Sequence, residues 1–590
     1  MEWPRGEATA CKAVYTGSNP VSTSQQAARP YDQVMRTQAR PRTCSAVRLA
    51  HLPDTEGVPS SNLGRCTHTQ DGRPNGSAVL CVLARGPADD DSPLAQISQY
   101  FVRMPTTNAG GTSVPDYAAG FADQPTEIEI DSLETVGTIP AWLDGDLLRN
   151  GPAMWRVGGH RLNHWFDGMA MLHRFGIRAG KVSYTNRFLR SKDYQAAQNG
   201  AIEFSEFATD PCRSLFKRMT ANFSPVYSSN ANVNITKVAD EFVAMTETPI
   251  QVAFDPETLD TLGVVAYEDS LTPGITTAHP HYDTSTHELF NYMLKLGRKS
   301  TYTVFGVPQD SKRRRTIGTA DTARPSYMHS FAMTENYIVL MEFPFVVNPV
   351  SMLLSGRPFI ENYRWKPELG TTFTIVNRAD GSTKRLHTDD PWFAFHHVNA
   401  FEESGQIILD VSVYADSEIV SDLFLNSLLG PAPESSDYRP PKLPPFSLRR
   451  FTLDLQASTV SSHQLCDQPI ELPRIHYGRH NARPYQFAYG ISVDPADPAA
   501  FLDRLTKIDV RSGESWVWHE PHTYPGEPVF VPRPGAEAED DGVILSVVLD
   551  ATAGTSFLLV LDASNLSEVA RATVPQAVPF GFHGQFIRSA

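Results

Sequence analysis

Residues 391–403, PWFAFHHVNAFEE, set two adjacent histidines, His396 and His397, among aromatic and branched residues that favour strands, with an acidic turn behind them. Successive residues of a strand face opposite sides, so only one of the pair points at a given site. A buried imidazole that is neither solvated nor paired with an acid is a metal ligand or a satisfied core residue. Three other stretches share the texture. TAHPH at 277–281, PSYMHSFAMTE at 325–335 and VPFGFHGQF at 578–586 each place a histidine among apolar, aromatic, Gly or Pro residues. Four such sites are hard to dismiss together.

The chain around them is long and acidic. Its 590 residues would make roughly three or four average domains, but large all-β barrels and propellers form single units well above that average. A formal net charge of -15, with no basic run longer than Lys312 to Arg315, argues against a nucleic-acid partner. That short KRRR run reads as a solvated loop. No apolar stretch reaches the length of about 18 residues that a spanning helix needs. The expectation is a cytoplasmic protein, soluble or at most peripherally membrane-associated. The six cysteines lie far apart without a CxxC, and only Cys212 and Cys466 fall in the body of the chain. That usage fits a reducing compartment without a disulfide framework.

Residues 1–95 are rich in Ser, Thr, Pro, Gly and Arg and have no sustained apolar period. They are expected to be a disordered or dispensable extension. A transit peptide is the other reading, weakened by the acids Glu2, Glu7, Asp32, Asp54 and Asp89 to Asp91. Order is expected from 125 to 590. The run TIPAWLDGDLLRNGPAMW from Thr138 reads as a strand entering a tight loop, with turn dipeptides at Asp144-Gly145 and Asn150-Gly151. In HWFDGMAMLHRF, His164 and Asp167 fit strand–turn hydrogen bonding within a core better than ligation.

Beyond this point one unit recurs: an apolar run, a turn of Asp, Asn, Ser, Thr or Gly, then a second run. FVAMTETPIQVAFDPETLDTLG, TFTIVNRADGSTKRL, FTLDLQASTVSSHQL, LTKIDVRSGESWVW and SFLLVLDASNLSEVA all have this hairpin form. Many antiparallel hairpins over more than 400 residues suggest a β-propeller, because radial repetition gives every strand a neighbour. Two apolar interruptions, at 341–354 and 419–429, are core packing or an exposed patch where a lipid-soluble substrate enters.

The histidine stretches are far too widely separated for a zinc finger or an HExxH helix, which draw ligands from one local segment. They suit a propeller in which each blade contributes one inward residue to the axis. Four neutral imidazoles would leave a divalent ion its full charge and, in an octahedron, two open positions. Open positions beside nitrogen ligands favour Fe(II) and oxygen chemistry over structural zinc. Each histidine would be oriented by an acceptor on its other nitrogen. Glu247, Glu471 and Glu527, in the apolar settings MTETP, IELPRI and YPGEPVF, are candidates, with solvated or salt-bridged acids as the alternative.

TAHPH, SYMHSFAMTENY, FHHVNAFEE and GFHG, together with RNGP, HWFDG and EPVFVP followed by EDDG, resemble the carotenoid cleavage oxygenases from Ile139 to Phe586. The resemblance implies an all-β, seven-bladed propeller with a helical, loop-built cap over an axial non-haem iron. It implies that His279, His329, His396 and His583 bind one Fe(II), and that Glu247, Glu471 and Glu527 accept from the outer nitrogens of three of them. His281 and His397 are then left pointing elsewhere. The reaction implied is insertion of O2 into a conjugated double bond of an apolar polyene, giving two carbonyl products with no catalytic group beyond the iron centre. Thr246 and Phe188 are assigned to the substrate tunnel. Stilbene-cleaving members tend to carry a lysine just before the first glutamate, where this chain has Thr246. The alternatives are a stilbene-type dioxygenase, a non-oxidative isomerase, and a propeller that only binds an apolar ligand.

Overall fold

The computed structural model describes residues 115–124, 126–203, 205–210, 227–430 and 442–589. The expected 1–95 extension and five of the six cysteines lie outside them; Cys466 is a buried free thiol. Seven antiparallel sheets of four to six strands follow one another along the chain, and each is a propeller blade. Numbered in chain order, blade I is built on Gly145–Pro152, Ala170–Arg178 and Lys181–Phe188. Blades II to VI run from Asn234–Val238 to Thr261–Val264, Ile275–Thr276 to Arg315–Thr322, Ala332–Met333 to Thr383–Thr388, His397–Glu403 to Thr459–Gln464, and Glu471–Arg474 to Ser515–His519. Blade VII runs from Thr523–Pro525 to Glu568–Val574.

Burial explains the strand sequences. Middle strands are covered by a neighbouring blade on each face, so Glu288–Lys295 is buried along all but its last residue. Edge strands face water on one side, so Thr459–Gln464 (TVSSHQ) is polar and exposed. All five sequence hairpins are strand pairs. The turn of NRADG requires its glycine: Gly381 has φ +71, and a Cβ there would run into the Ile317 carbonyl of the preceding blade.

The ring closes twice at one seam. Glu134–Gly137, near the N-terminal side, pairs with Glu568–Val574 of blade VII, and the last strand, Gly584–Arg588, pairs with Gly145–Pro152 of blade I. Because alternate strands run oppositely, the start of each inner strand and the connection between its second and third strands share one end of the ring. The cap is built there. Blade IV inserts the helix Pro349–Ser355 and the paired Phe345–Val346 and Arg364–Trp365; blade V inserts Glu418–Asp422 and Leu425–Leu429.

Two local expectations change, and the two apolar stretches divide between the readings left open for them. Asn150-Gly151 is not a turn but lies inside Gly145–Pro152, and its glycine is demanded by the backbone of Gly581 packed against it. Three cations of the KRRR run are paired rather than free: Lys312 meets Glu241, Arg314 meets Asp269 and lies over Tyr267, and Arg315 meets Glu288. Residues 419–429 are core at Ile419, Val420, Leu423, Leu425 and Leu428. In the other apolar stretch, buried Met341 to Val347 precede a helix that leaves Val350 56% and Leu354 75% exposed.

Candidate metal centre

The start of an inner strand lies at the cap end of the axis, and the key residues sit there or at a break in such a strand. His396 immediately precedes His397–Glu403, and His583 immediately precedes Gly584–Arg588. His329 lies three residues before Ala332–Met333, and His279 sits in the break between Ile275–Thr276 and His281–Asp283. The structure brings these four imidazoles together: one ring nitrogen of each lies within 4.8 Å of all the others. His281 and His397 turn away. His281 bonds the Phe331 carbonyl at 3.0 Å, and His397 Nδ1 lies 2.8 Å from Ser330 Oγ.

Three of the outer nitrogens are engaged by carboxylates. His329 Nδ1 donates to Glu247 at 2.6 Å, His396 Nδ1 to Glu471 at 2.6 Å, and His583 Nδ1 to Glu527 at 2.7 Å. His279 meets no carboxylate among the described residues. Every blade therefore contributes one of these seven side chains: histidines from I, III, IV and V, glutamates from II, VI and VII. The carboxylates differ in their further partners. Glu247 accepts from the Tyr327 hydroxyl at 2.8 Å and Glu471 from the Tyr414 hydroxyl at 2.9 Å, whereas Glu527 pairs with Arg149 and Arg474.

The electrostatics suit a cation. Burial lowers His279 well below the ordinary imidazole value, and the charges of His583, His329 and His396 lower it further. Burial brings His583 down to about 4, with Glu527 opposing. Burial alone would raise Glu471, but His396 and the hydrogen bonds from His396, Tyr414 and the Leu472 amide outweigh it. With Nδ1 donating to a carboxylate, the neutral ring keeps its lone pair on Nε2. The Nε2 atoms of His279 and His329 lie 2.9 Å apart, and His396 Nε2 is buried with no hydrogen-bond partner. Nitrogens converging in this way, three of them on rings whose proton is held on Nδ1, fit a metal ion of the imidazole-binding class.

Two cavities meet at this cluster, sharing Phe166, Val233 and His329 in their walls. The larger, about 580 Å³, runs past Thr246 and Glu247 to a mouth at Pro349, Val350 and Met352. Glu206 stands in its wall, raised well above the usual carboxyl range by burial and then by Asp193 and Asp167. The smaller, about 70 Å³, is lined by Phe395, Phe582, Phe501, Leu423 and their apolar neighbours. Phe188 is a correction. It stacks on Tyr194 inside a cluster with Met171 and Ala197 and lines neither cavity, because its strand alternation turns it into that cluster. His164 and Asp167 are structural: His164 caps a helical turn, and Asp167 accepts from the amides of His164 and Ala208 and the hydroxyl of Thr209. Sequence reasoning missed Tyr327, Tyr414, Arg149 and Arg474. A charged Arg inside an apolar strand, as in DLLRNGP and ELPRI, was the available signal, since buried charge needs a partner.

A propeller with four convergent imidazoles on its axis, three of them carboxylate-anchored, forms a candidate metal centre at the junction of two cavities. A sequence profile described as retinal pigment epithelial membrane protein matches residues 121–588, and the chain belongs to that family, the carotenoid oxygenases. It is similar to the carotenoid isomerooxygenase of Galleria mellonella, 37% identical over 492 residues, 76% of this chain and 92% of that one. It is also similar to the β,β-carotene 15,15'-dioxygenase of Mus musculus, 34% identical over 523 residues, 79% of this chain and 90% of that one. Among solved structures, a Synechocystis apocarotenoid oxygenase variant superposes with TM-score 0.71 at 28% identity, covering 80% of this chain and 98% of that one. A cobalt-substituted form of the Synechocystis protein gives TM-score 0.69 at 29% identity, with the same coverage.

Proposed function

We propose that the chain is a non-haem Fe(II) dioxygenase that cleaves one conjugated carbon–carbon double bond of a carotenoid or apocarotenoid with O2, giving two carbonyl products. The supporting observation is the meeting of four imidazoles, three held by carboxylates, at the junction of two largely apolar cavities. His279, His329, His396 and His583 would hold one ion per chain, and Fe(II) bound there supplies the activation of O2.

The rest falls to the chain's own residues. Glu247, Glu471 and Glu527 keep the proton of their histidines on Nδ1 and so aim three Nε2 lone pairs inward. Phe166 and Val233, shared by both cavities, press a polyene against the cluster. Phe395 and Phe582 close the far side with apolar surface that excludes water. The bond cut is then set by how far the polyene runs into the smaller cavity, which is positioning rather than acid–base chemistry. Thr246, neutral and in the cavity wall, supports a carotenoid over a phenolic stilbene. Relatives named β,β-carotene 15,15'-dioxygenase and carotenoid-cleaving dioxygenase support the same substrate class.

Val350 and Leu354, exposed on the helix at the mouth, support collection of the substrate from a membrane surface by a cytoplasmic protein in peripheral contact. Among the described residues no helix is long and apolar enough to cross a membrane. We assign the activity to residues 125–590, so a chain lacking 1–95 is expected to keep it.

The test is anaerobic loading with Fe(II), then air and β-carotene or an apocarotenal in detergent, followed by product mass spectrometry. Loss of polyene absorbance with two aldehyde products supports the proposal. An unchanged spectrum across a carotenoid panel overturns it in favour of a binding propeller. Double-bond geometry of the products, read in the same run, tells whether cleavage is accompanied by isomerisation.

A further inference from the structure

Three of the four histidines come from consecutive blades, III, IV and V. The fourth, His583, is carried by the chain's last strand, which is in place only when the ring has closed. Its surroundings differ accordingly. Glu527, 1% exposed, accepts from His583 Nδ1 at 2.7 Å and from the Gly584 amide at 3.0 Å. Arg149 of blade I bonds the same carboxylate, and its other guanidinium nitrogen donates to the Phe582 carbonyl at 2.9 Å. Arg474 of blade VI brings Nε to 2.9 Å from the carboxylate, and its Nη2 donates both to Glu527 Oε2 at 3.4 Å and to the Gly584 carbonyl. The two guanidinium groups thus grip the backbone on both sides of His583, Arg149 from blade I on one side of the seam and Arg474 from blade VI, one blade beyond blade VII, on the other.

Packing narrows the arrangement further. A Cβ at residue 584 would run into the Leu148 carbonyl and crowd the Arg149 side chain, so Gly584 is required for the grip. Among the described residues neither Glu247 nor Glu471 meets a guanidinium or ammonium group; each has a tyrosine hydroxyl instead.

We propose that Arg149 and Arg474 are positioning residues that lock His583 against the site, so that closing the ring and completing the metal site are one event. The proposal rests on the metal-site reading above. A purely electrostatic role would have the opposite sign: removing a cation beside a dication site would tighten binding. Loss of position loosens it instead, by roughly ten- to hundredfold where an outer partner of a metal-bound histidine is removed.

The test uses the full chain and Co(II) as probe under anaerobic conditions, in wild type, Arg149→Met, Arg474→Met and Arg474→Lys. Affinity comes from the cobalt absorption band, and hydrogen exchange is followed in residues 582–588 without metal. Arg474→Met is expected to weaken Co(II) by about tenfold or more and to lose protection in 582–588. Arg474→Lys is expected to restore part of the affinity through its retained charge, and adding Co(II) to Arg474→Met to return the protection. Arg474, 26% exposed, keeps the test alive if Arg149→Met fails to fold. Unchanged or tighter Co(II) binding by Arg474→Met, or unchanged protection of 582–588, overturns the clamp alone. Wild type that takes up no Co(II) overturns the metal-site reading itself.

Discussion

Replacing Glu471 by Gln tests how the carboxylates act. Glu471 receives three donors: His396 Nδ1 at 2.6 Å and the Leu472 amide at 3.0 Å on one oxygen, the Tyr414 hydroxyl at 2.9 Å on the other. A glutamine has one oxygen to offer, so its NH2 must face one side. Facing His396, it would drive the ring proton to Nε2 and remove the lone pair that is now buried without a partner. Facing Tyr414, it meets a hydroxyl that can turn and accept. The second arrangement is the cheaper one, so the ligand survives and only charge assistance is lost. A hydrogen bond to a charged group is worth about 1.5–3 kcal/mol and a neutral one about 0.5–1.5. The difference of about 1.5 kcal/mol is roughly a tenfold weaker ion. Anaerobic Co(II) titration of Glu471→Gln measures this, with the thermal midpoint of the metal-free chain as the check on folding. Affinity within twofold of wild type would refute the reasoning; so would a collapse of the metal-free fold, which would make Glu471 a structural acid.

Burial lowers His164 to about 3, so between pH 6.5 and 3 only the unfolded chain takes up its proton and acid weakens the fold by about 1.4 kcal/mol per unit. Burial raises Asp167 to about 6, so between pH 6 and 3.8 the folded chain takes up that proton and offsets the loss. Asp167→Asn is therefore expected to lose stability more steeply from pH 6 to 4 in denaturant titrations, and a slope equal to wild type would refute the pairing. Val233→Trp fills the junction of the two cavities and is expected to abolish polyene turnover while Co(II) affinity stays within a few-fold of wild type. Gly151→Ala pushes a methyl into the Gly581 backbone and is expected to cost about 1–3 kcal/mol in denaturant unfolding.

The blades were legible because alternating apolar runs and Asp, Asn or Gly turns are local signals that the hairpins keep. The four histidines were legible because imidazoles in apolar settings have few other uses. The glutamates were assigned by resemblance; spacing alone left them as ordinary acids, since Glu247 reaches His329 only through the folding of blades II and IV together. Tyr327 and Tyr414 were hidden because a tyrosine in an apolar strand looks like core, and both are indeed buried. Phe188 failed on facing: in a strand one residue's shift reverses the side, and nothing local reports which side a cavity occupies. Asn150-Gly151 misled because a turn dipeptide and a close backbone approach call for the same glycine.

Seven is odd, and that governs the centre. Each blade offers one polar side chain to the axis, and pairing one carboxylate with one imidazole leaves a single imidazole over. Glu471 and Glu527 serve histidines of adjacent blades, V and, across the seam, I. Glu247 of blade II passes over its neighbour in blade III and reaches His329 in blade IV, supported by Tyr327. The unpaired one is therefore His279, in the inner strand that is broken on either side of it, with its amide bonded to Thr277 Oγ1 at 3.1 Å. Its orientation is held by backbone and packing rather than by a carboxylate, so its ring alone among the four can change tautomer without stranding a buried acid.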